Sequence, residues 1–128
     1  MAIPSGSGTE VLKRNSIPAQ TTAWTEIDWT ADQTSAGNTS NGLVPTNHII
    51  TILSVVFQNG SGAARTVSMK SPAVSGRSEI SLVGNSLPIG GTFVWNDRII
   101  LNSGDKLSFY ASGSDVGIWL SYIQQNWS

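Results

Sequence analysis

The side chains best suited to acid–base catalysis or metal binding in this chain are one histidine and eight carboxylates. A catalytic site needs such a group beside a partner that tunes it. His48 is the single imidazole, so a Ser–His–Asp arrangement would have to form around it, and a site with several histidine ligands is excluded. His48 opens an apolar segment directly after a Pro-Thr-Asn turn, which favours a surface or structural role for it.

The carboxylates are scattered along the chain. Glu26 and Asp28 share one face of a predicted strand, whereas Asp97 and Asp105 fall in predicted turns. A glycosidase pair needs two converging carboxylates, and a calcium loop needs regularly spaced oxygen ligands, which no segment shows. Gly90-Gly91 precedes a strand, so it does not resemble a phosphate-binding loop. We therefore predict a non-enzymatic protein without catalytic residues, a metal site or a cofactor.

Composition narrows the classes of partner. The net charge is −1, and the seven Lys and Arg residues are dispersed, which argues against nucleic-acid binding. The longest apolar stretch, residues 49–57, is too short to span a membrane. The absence of cysteine excludes disulfides and thiolate metal sites. We accordingly expect neither nucleic acid nor membrane as a partner.

The N-terminal sequence MAIPSGSGTEVLKR has neither a charged n-region nor an apolar h-region, so we expect synthesis in a cytoplasm. Its first residues are small and nearly uncharged. We predict that residues 1–14 form an extended N-terminal arm, with a disordered tail as the alternative for residues 1–9. We also predict a first strand at residues 10–18, with Val11 and Leu12 as its apolar content and with Pro18 either ending it or placing it at a sheet edge. The remaining residues, 15–128, have the length of one domain.

The pattern of the chain is that of an all-β protein. Charged residues make up 12% of the sequence, and Ser, Thr, Asn and Gly supply the polarity instead. That composition is typical of sheet surfaces and tight turns. Seven to nine short strands separated by Gly, Asn, Asp and Pro predict an antiparallel β-sandwich of jelly-roll or Greek-key type.

The segment 43–59 contains the most apolar strand, and strict alternation makes both of its faces apolar. We therefore expect a second layer or a partner subunit over its outer face. The turn sequence NGSG, residues 59–62, predicts a β-hairpin between this strand and the strand at 63–71. The faces that alternation predicts are Ile50, Ile52 and Val56 on one side, and Ile49, Leu53, Val55 and Phe57 on the other.

Five tryptophans are unusual for a chain of this length. Trp is enriched at protein interfaces and also stacks on sugars, although a sandwich core accounts for at least two of the five. We single out Trp24, Trp29 and Trp119 as candidate aromatics of a ligand site or interface. Trp127, close to the end of the chain, is a candidate for pinning it to the fold or to a neighbouring subunit.

Four phrases resemble a known family: MAIPSGSGTEVLKR, HIITILSVVFQNGSGAARTVSM, TFVWNDRIILNSGDKLSFYAS and SYIQQNWS. They are similar to the small virion structural proteins of tailed bacteriophages, and the likeness covers most of residues 43–126. The resemblance implies a β-sandwich, often trimeric, that binds a capsid or a tail. The polar segment 31–42 contributes nothing to this likeness.

Two functions follow from the resemblance. The first is a capsid decoration (cement) protein on the capsid surface of the virion, where it binds the major capsid protein as a homo-oligomer, expected to be a trimer. Its candidate contacts with the capsid or another subunit are Ile3, Pro4, Val11, Leu12 and Trp127. The alternative is a tail, baseplate or fibre module that binds a host-surface glycan through its tryptophans and the 31–42 loop. A hydrolase built around His48 is a weaker third hypothesis.

Overall fold

The computed structural model describes residues 9–30 and 42–127. Every regular element within those ranges is a β-strand, and all strand pairs are antiparallel. The predictions of an all-β protein and of two antiparallel sheets are thereby confirmed. The strands are β1 (Thr9–Gln20), β2 (Thr25–Glu26), β3 (His48–Asn59), β4 (Arg65–Ser71), β5 (Ile80–Leu87), β6 (Thr92–Trp95), β7 (Ile99–Leu101), β8 (Ser108–Ala111) and β9 (Val116–Asn126).

The strands form a five-stranded and a four-stranded sheet. In the five-stranded sheet β9 lies between β1 and β3, and the far side of β3 pairs with β6 and β7 in turn. β6 and β7 therefore act as one edge strand that is interrupted at residues 96–98. The four-stranded sheet has the order β2-β8-β4-β5.

The core lies between the two sheets and is built by alternation along the strands. In β9 the buried side chains are Val116, Ile118, Leu120 and Tyr122, as the sequence predicts. The ring of Phe57 from β3 lies 5.8 Å from that of Phe109 in β8, which joins the two sheets. Burial of such side chains stabilises the fold by about 1.5–3 kcal/mol each.

Strand β3 differs from the expected alternation because it contains a bulge. Its pairing with β9 shifts register between Ile52 and Ser54, so Leu53 is an extra residue. The bulge reverses the phase of the strand: Ile50 and Ile52 are buried before it, and Val55 and Phe57 are buried after it. The predicted faces are therefore wrong, and Val56 points outward although Ile50 and Ile52 point inward. The sequence pattern does not show the bulge, so strict alternation makes the two faces of β3 look equally apolar.

The hairpin predicted at residues 59–62 is also wrong, because β3 and β4 belong to different sheets. The fully buried side chain of Asn59 shapes the corner between them. Its Oδ1 accepts hydrogen bonds from the backbone N–H and the hydroxyl of Ser61. Its Nδ2 donates to the carbonyl oxygens of Ala63, Leu87 and Pro88 at 2.9, 3.3 and 3.1 Å. A turn anchored in this way leads the chain out of one sheet and into the other.

Residues 9–14, the described part of the predicted arm, lie in β1 and pair with β9. The boundary predicted at residue 14 therefore does not coincide with the end of an element. Among residues 9–30 and 42–127, β1 pairs with β9 alone, so it lies at the edge of this sheet and tolerates Pro18, whose missing N–H would be costly in a central strand. The pairing is irregular between Ile17 and Gln20, around that proline.

Candidate interaction surface

The outer face of the five-stranded sheet carries an unusual number of apolar side chains. Because Ile118, Leu120 and Tyr122 of β9 point into the core, Trp119 and Ile123 must point outward. Residues directly opposite one another in a ladder share a face, so the pairing register extends this set to the neighbouring strands. We call the set the apolar sheet face; it consists of Leu12, Val56, Val94, Ile100, Trp119 and Ile123.

These side chains fall into two rows that cross the sheet. One row runs from Leu12 through Ile123 and Thr51 to Ile100. Leu12 and Ile100 are 72% and 65% exposed. The row spans four adjacent strands, about 14 Å at the usual strand spacing. Three large apolar side chains in one row, separated only by Thr51, are more typical of an interaction site than of an ordinary polar sheet surface.

The second row contains Trp119, Val56 and Val94. It lies four residues along β9 from the first row, about 13 Å away. Trp119 and Val94 are each 49% exposed. A shallow groove of about 360 Å³ runs beside Trp119, between Pro18 and Gln58. Gly117 lines this groove and contributes no side chain to fill it.

Arg14 supplies the positive charge of this surface. It lies between the two rows on β1, opposite Ser121, and its guanidinium carbon is 5.1 Å from the centre of the Trp119 ring. A cation over an exposed indole contributes about 0.5–1 kcal/mol and holds the ring in place. The surface therefore combines aliphatic rows with a tryptophan and an arginine, two residue types that are enriched in protein interfaces.

Trp29 lies in the core, which corrects its placement among the candidate contact aromatics. The side chain is 1% exposed, and its indole N–H donates to the carbonyl of Gly42 at 3.2 Å. Its ring meets that of Tyr122 edge-on, with centroids 5.1 Å apart. Because Trp29 is enclosed by other parts of the chain, it offers no surface to a ligand or subunit.

Trp24 lies beside the four-stranded sheet and remains a candidate contact. Its ring centre is 5.0 Å from that of Tyr110, and the Lys70 ammonium lies 3.8 Å from the indole centre. Lys70 also pairs with Glu79 at 3.0 Å. Trp24 is 36% exposed, so part of its ring reaches solvent while intramolecular contacts cover the rest.

The remaining candidate contacts lie in different places. Val11 and Leu12 are neighbours on β1, 51% and 72% exposed, and alternation directs them to opposite sides of the sheet.

Trp127 follows β9, and its backbone N–H donates to the carbonyl of Asn47. Its half-buried indole lines a cleft of about 290 Å³ with His48, which favours the pinning role over a subunit contact. Ile3 and Pro4 lie outside the described residues.

Three of the candidate groups for chemistry, His48, Glu26 and Asp28, have local partners. His48 Nδ1 is 2.8 Å from the carbonyl oxygen of Thr46. Glu26 pairs with Lys106 at 3.0 Å, and Asp28 accepts hydrogen bonds from the backbone and hydroxyl of Thr30. Residues 9–30 and 42–127 contain no group of three or more His, Asp or Glu side chains arranged to hold a metal ion.

Asp105 is likewise engaged in shaping its turn. One carboxylate oxygen accepts from the backbone N–H of Asn102 at 2.9 Å, and the other lies 3.4 Å from Arg77. Arg77 and Asp105 also line a groove of about 460 Å³ at one end of the sandwich. The structure therefore gives Asp105 the turn-forming role that its sequence position predicts.

Comparison with protein-family models, with curated proteins and with solved structures finds no significant match for this chain. Within the described part of the chain there is no helix long and apolar enough to cross a membrane. The interpretation of the surface therefore depends on the geometry given above.

Sequence reasoning named two residues of this face, Leu12 and Trp119, as candidate contacts. It did not name the other four, which are Val56, Val94, Ile100 and Ile123. What these residues share is an apolar side chain at an outward position of a strand. The sequence alone does not show that they lie together, because Ile123 and Ile100 are far apart along the chain and are aligned only by the pairing of each with Thr51.

Proposed function

We propose that this protein is a structural component of a tailed-bacteriophage virion, a capsid decoration protein that binds the major capsid protein and acts without catalysis. The observation that carries the proposal is the apolar sheet face. In the free monomer the six side chains of this face leave apolar area in contact with water, whereas a protein that docks on a shell removes that area from water. The resemblance to phage virion proteins supports a partner within the virion, and we propose that this partner is the capsid.

The strand order supports a finer description of the fold, which we propose to be a jelly roll. If β6 and β7 count as one interrupted strand, eight strands remain, in the orders β1-β9-β3-β6/β7 and β2-β8-β4-β5. In this count the first strand pairs with the eighth, the second with the seventh, the third with the sixth, and the fourth with the fifth. That nesting is the pattern of a jelly roll, a fold found in viral capsid and lectin domains. Because one fold serves many functions, this agreement supports the proposal without carrying it.

The experiment is co-sedimentation of the purified protein with capsids isolated from phage that lack its gene. We expect the double variant Trp119→Ser/Val94→Ser to lose at least about tenfold in capsid affinity, since central apolar anchors account for most binding energy. Trp24→Ser on the other sheet is the matched control and retains full occupancy. Equal occupancy by the double variant and the wild type would refute docking through the apolar sheet face.

A second variant tests whether capsid binding needs the predicted arm in addition to the apolar sheet face. Deletion of residues 2–8 leaves the whole of β1 in place, because that strand begins at Thr9. If the arm lies on neighbouring capsid subunits, this deletion also lowers occupancy. If the sheet face suffices, occupancy stays at the wild-type level.

The second candidate is a tail or fibre module that binds a host-surface glycan. Trp24 and Tyr110 favour it, because two adjacent and partly exposed aromatic rings form a surface on which a sugar ring can stack. A glycan array probed with the wild type and with Trp24→Ala tests this function. A sugar ligand that Trp24→Ala abolishes supports it, and binding to gene-deleted capsids without any sugar ligand supports the decoration role.

A further inference from the structure

The turn sequence NGSG at residues 59–62 contains a reactive pair that neither proposed function uses. Asn59 is followed by Gly60. An asparagine before a glycine is prone to deamidation, because glycine has no side chain to shield its backbone nitrogen from the asparagine amide. In residues 9–30 and 42–127, each of the other asparagines is followed by a residue with a side chain. The pair at the corner is therefore the most reactive one in the described part of the chain.

The reaction needs no enzyme and no reagent other than water. The backbone nitrogen of Gly60 loses its proton and attacks Cγ of the Asn59 side chain. The Cγ–Nδ2 bond breaks, and the amide nitrogen leaves with that proton as ammonia, so that a succinimide ring is formed. Water then opens the ring at either of its carbonyl carbons. Position 59 becomes an aspartate or an isoaspartate, whose backbone is longer by a methylene group.

The native structure opposes ring closure at both reacting groups. The N–H of Gly60 donates a 3.0 Å hydrogen bond to the carbonyl oxygen of Asp115, so the attacking atom is engaged. The Asn59 side chain is 0% exposed, and both ends of its amide are held in hydrogen bonds at the corner between the sheets. The backbone of Asn59 is held as well, since its N–H donates to Gly91 and its carbonyl accepts from Gly90. Ring closure must break these contacts, so it requires that the corner opens.

We propose that Asn59 is a deamidation site that reacts only while the corner is open, and that the reaction makes unfolding of this protein irreversible. Aspartate at position 59 places a carboxylate oxygen where the amide donates, against the carbonyl oxygens of Leu87 and Pro88. Isoaspartate lengthens the backbone at the last residue of β3, which pairs with Val116. Neither product fits the corner, so a molecule that deamidates while unfolded does not refold. The proposal is independent of the capsid as a partner.

Parallel incubation of the purified protein in native buffer and in urea, both mildly alkaline, tests the protection. Peptide mapping by mass spectrometry follows residue 59 through the small mass increase that replacement of NH2 by OH causes. Because unfolded molecules are a minor fraction of a stable protein, we expect deamidation at Asn59 to be at least about a hundredfold slower in native buffer than in urea. Asn41, which also precedes a glycine, supplies the reference rate for an unfolded Asn-Gly pair in urea.

Refolding of the same samples tests irreversibility. Recovery of native tryptophan fluorescence after dilution from urea should fall in proportion to the fraction of molecules modified at residue 59. Gly60→Ala is the matched control, because it keeps both Asn41 and Asn59 and adds a methyl group that shields the attacking nitrogen. The added Cβ lies 3.3 Å from the carbonyl oxygen of Asp115 and 3.4 Å from Oε1 of Gln58, so small shifts of these neighbours accommodate it. We expect Gly60→Ala to deamidate several-fold more slowly at residue 59 in urea and to keep its ability to refold.

Mildly acidic urea is a second control that changes no residue, because the attack requires loss of the backbone proton and is slow there. The wild type held in acidic urea should stay unmodified and refold fully, and this comparison decides alone should Gly60→Ala fail to fold. Four results would overturn the proposal. They are similar rates at residue 59 in native buffer and in urea, deamidated protein that refolds with the wild-type melting temperature, equal loss of refolding by Gly60→Ala and the wild type, and equal loss in acidic and alkaline urea.

Discussion

Asn59 Oδ1 accepts a 2.7 Å hydrogen bond from the hydroxyl of Ser61, and both residues are buried at the corner between the two sheets. The amide nitrogen of Asn59 faces three backbone carbonyl oxygens. One side chain thus satisfies polar groups of the turn between β3 and β4 and of the chain at the end of β5. The corner depends on an amide, which donates from one end and accepts at the other.

The first prediction follows from that arrangement. Asn59→Asp replaces the donor with an oxygen that faces carbonyl oxygens, so we expect the free energy of unfolding to fall by at least about 3 kcal/mol. Ser61→Ala removes one donor and one acceptor of the same corner and should cost about 1 kcal/mol. Urea denaturation followed by tryptophan fluorescence measures both. Equal stability of Asn59→Asp and the wild type would show that the amide is not required.

Trp29 and Trp119 should respond to mutation in opposite ways. Trp29→Ala leaves a cavity in the core and removes the hydrogen bond to Gly42, so it should cost about 3–5 kcal/mol. Trp119→Ala removes a half-exposed ring and should change stability by about 1 kcal/mol or less while it weakens capsid binding. Thermal melting and co-sedimentation of both variants separate the two roles. A large loss of stability in Trp119→Ala would contradict its assignment to a binding surface.

The bulge in β3 gives a third prediction. Deletion of Leu53 removes the extra residue and keeps Ile50, Ile52, Val55 and Phe57 on the inner face, so the variant should fold. Deletion of Val56 forces either Val55 or Phe57 outward and should unfold the protein, because a one-residue slip reverses the faces of a strand. Circular dichroism and melting temperature distinguish them. Equal tolerance of both deletions would mean that the bulge does not set the phase of β3.

The Lys70–Trp24 contact supports a fourth prediction. Lys70→Ala removes a cation from above the indole and should lower the free energy of unfolding by about 1 kcal/mol. Lys70→Arg retains the charge over the ring and should keep most of that stability, whereas Glu79→Ala should have a smaller effect because an exposed ion pair contributes little. Urea denaturation at low and high salt compares the three. A larger loss in Glu79→Ala than in Lys70→Ala would assign the stability to the ion pair instead.

Much of the fold could be predicted from local pattern. Alternation correctly grouped Val116, Ile118, Leu120 and Tyr122 of β9 on one face, and the structure buries that face, because the strand is regular and half-buried. The same reasoning failed in β3, where no sequence signal marks Leu53 as the bulged residue. It also failed at residues 59–62, where NGSG suits a hairpin turn equally well. The turn leads to β4 in the other sheet, and this path depends on long-range hydrogen bonds from Asn59 to the carbonyls of Leu87 and Pro88.

The sequence by itself determined the all-β class, the approximate strand positions and the scarcity of groups able to do chemistry, because these depend on composition and on period-two alternation. Only the tertiary structure decided which apolar residues are core and which are surface. Trp29 and Trp119 are alike in sequence terms, yet one is enclosed and the other exposed, since burial depends on the sheet that covers a residue. The candidate surface arises in the same way, from residues of five strands that only their pairing brings together.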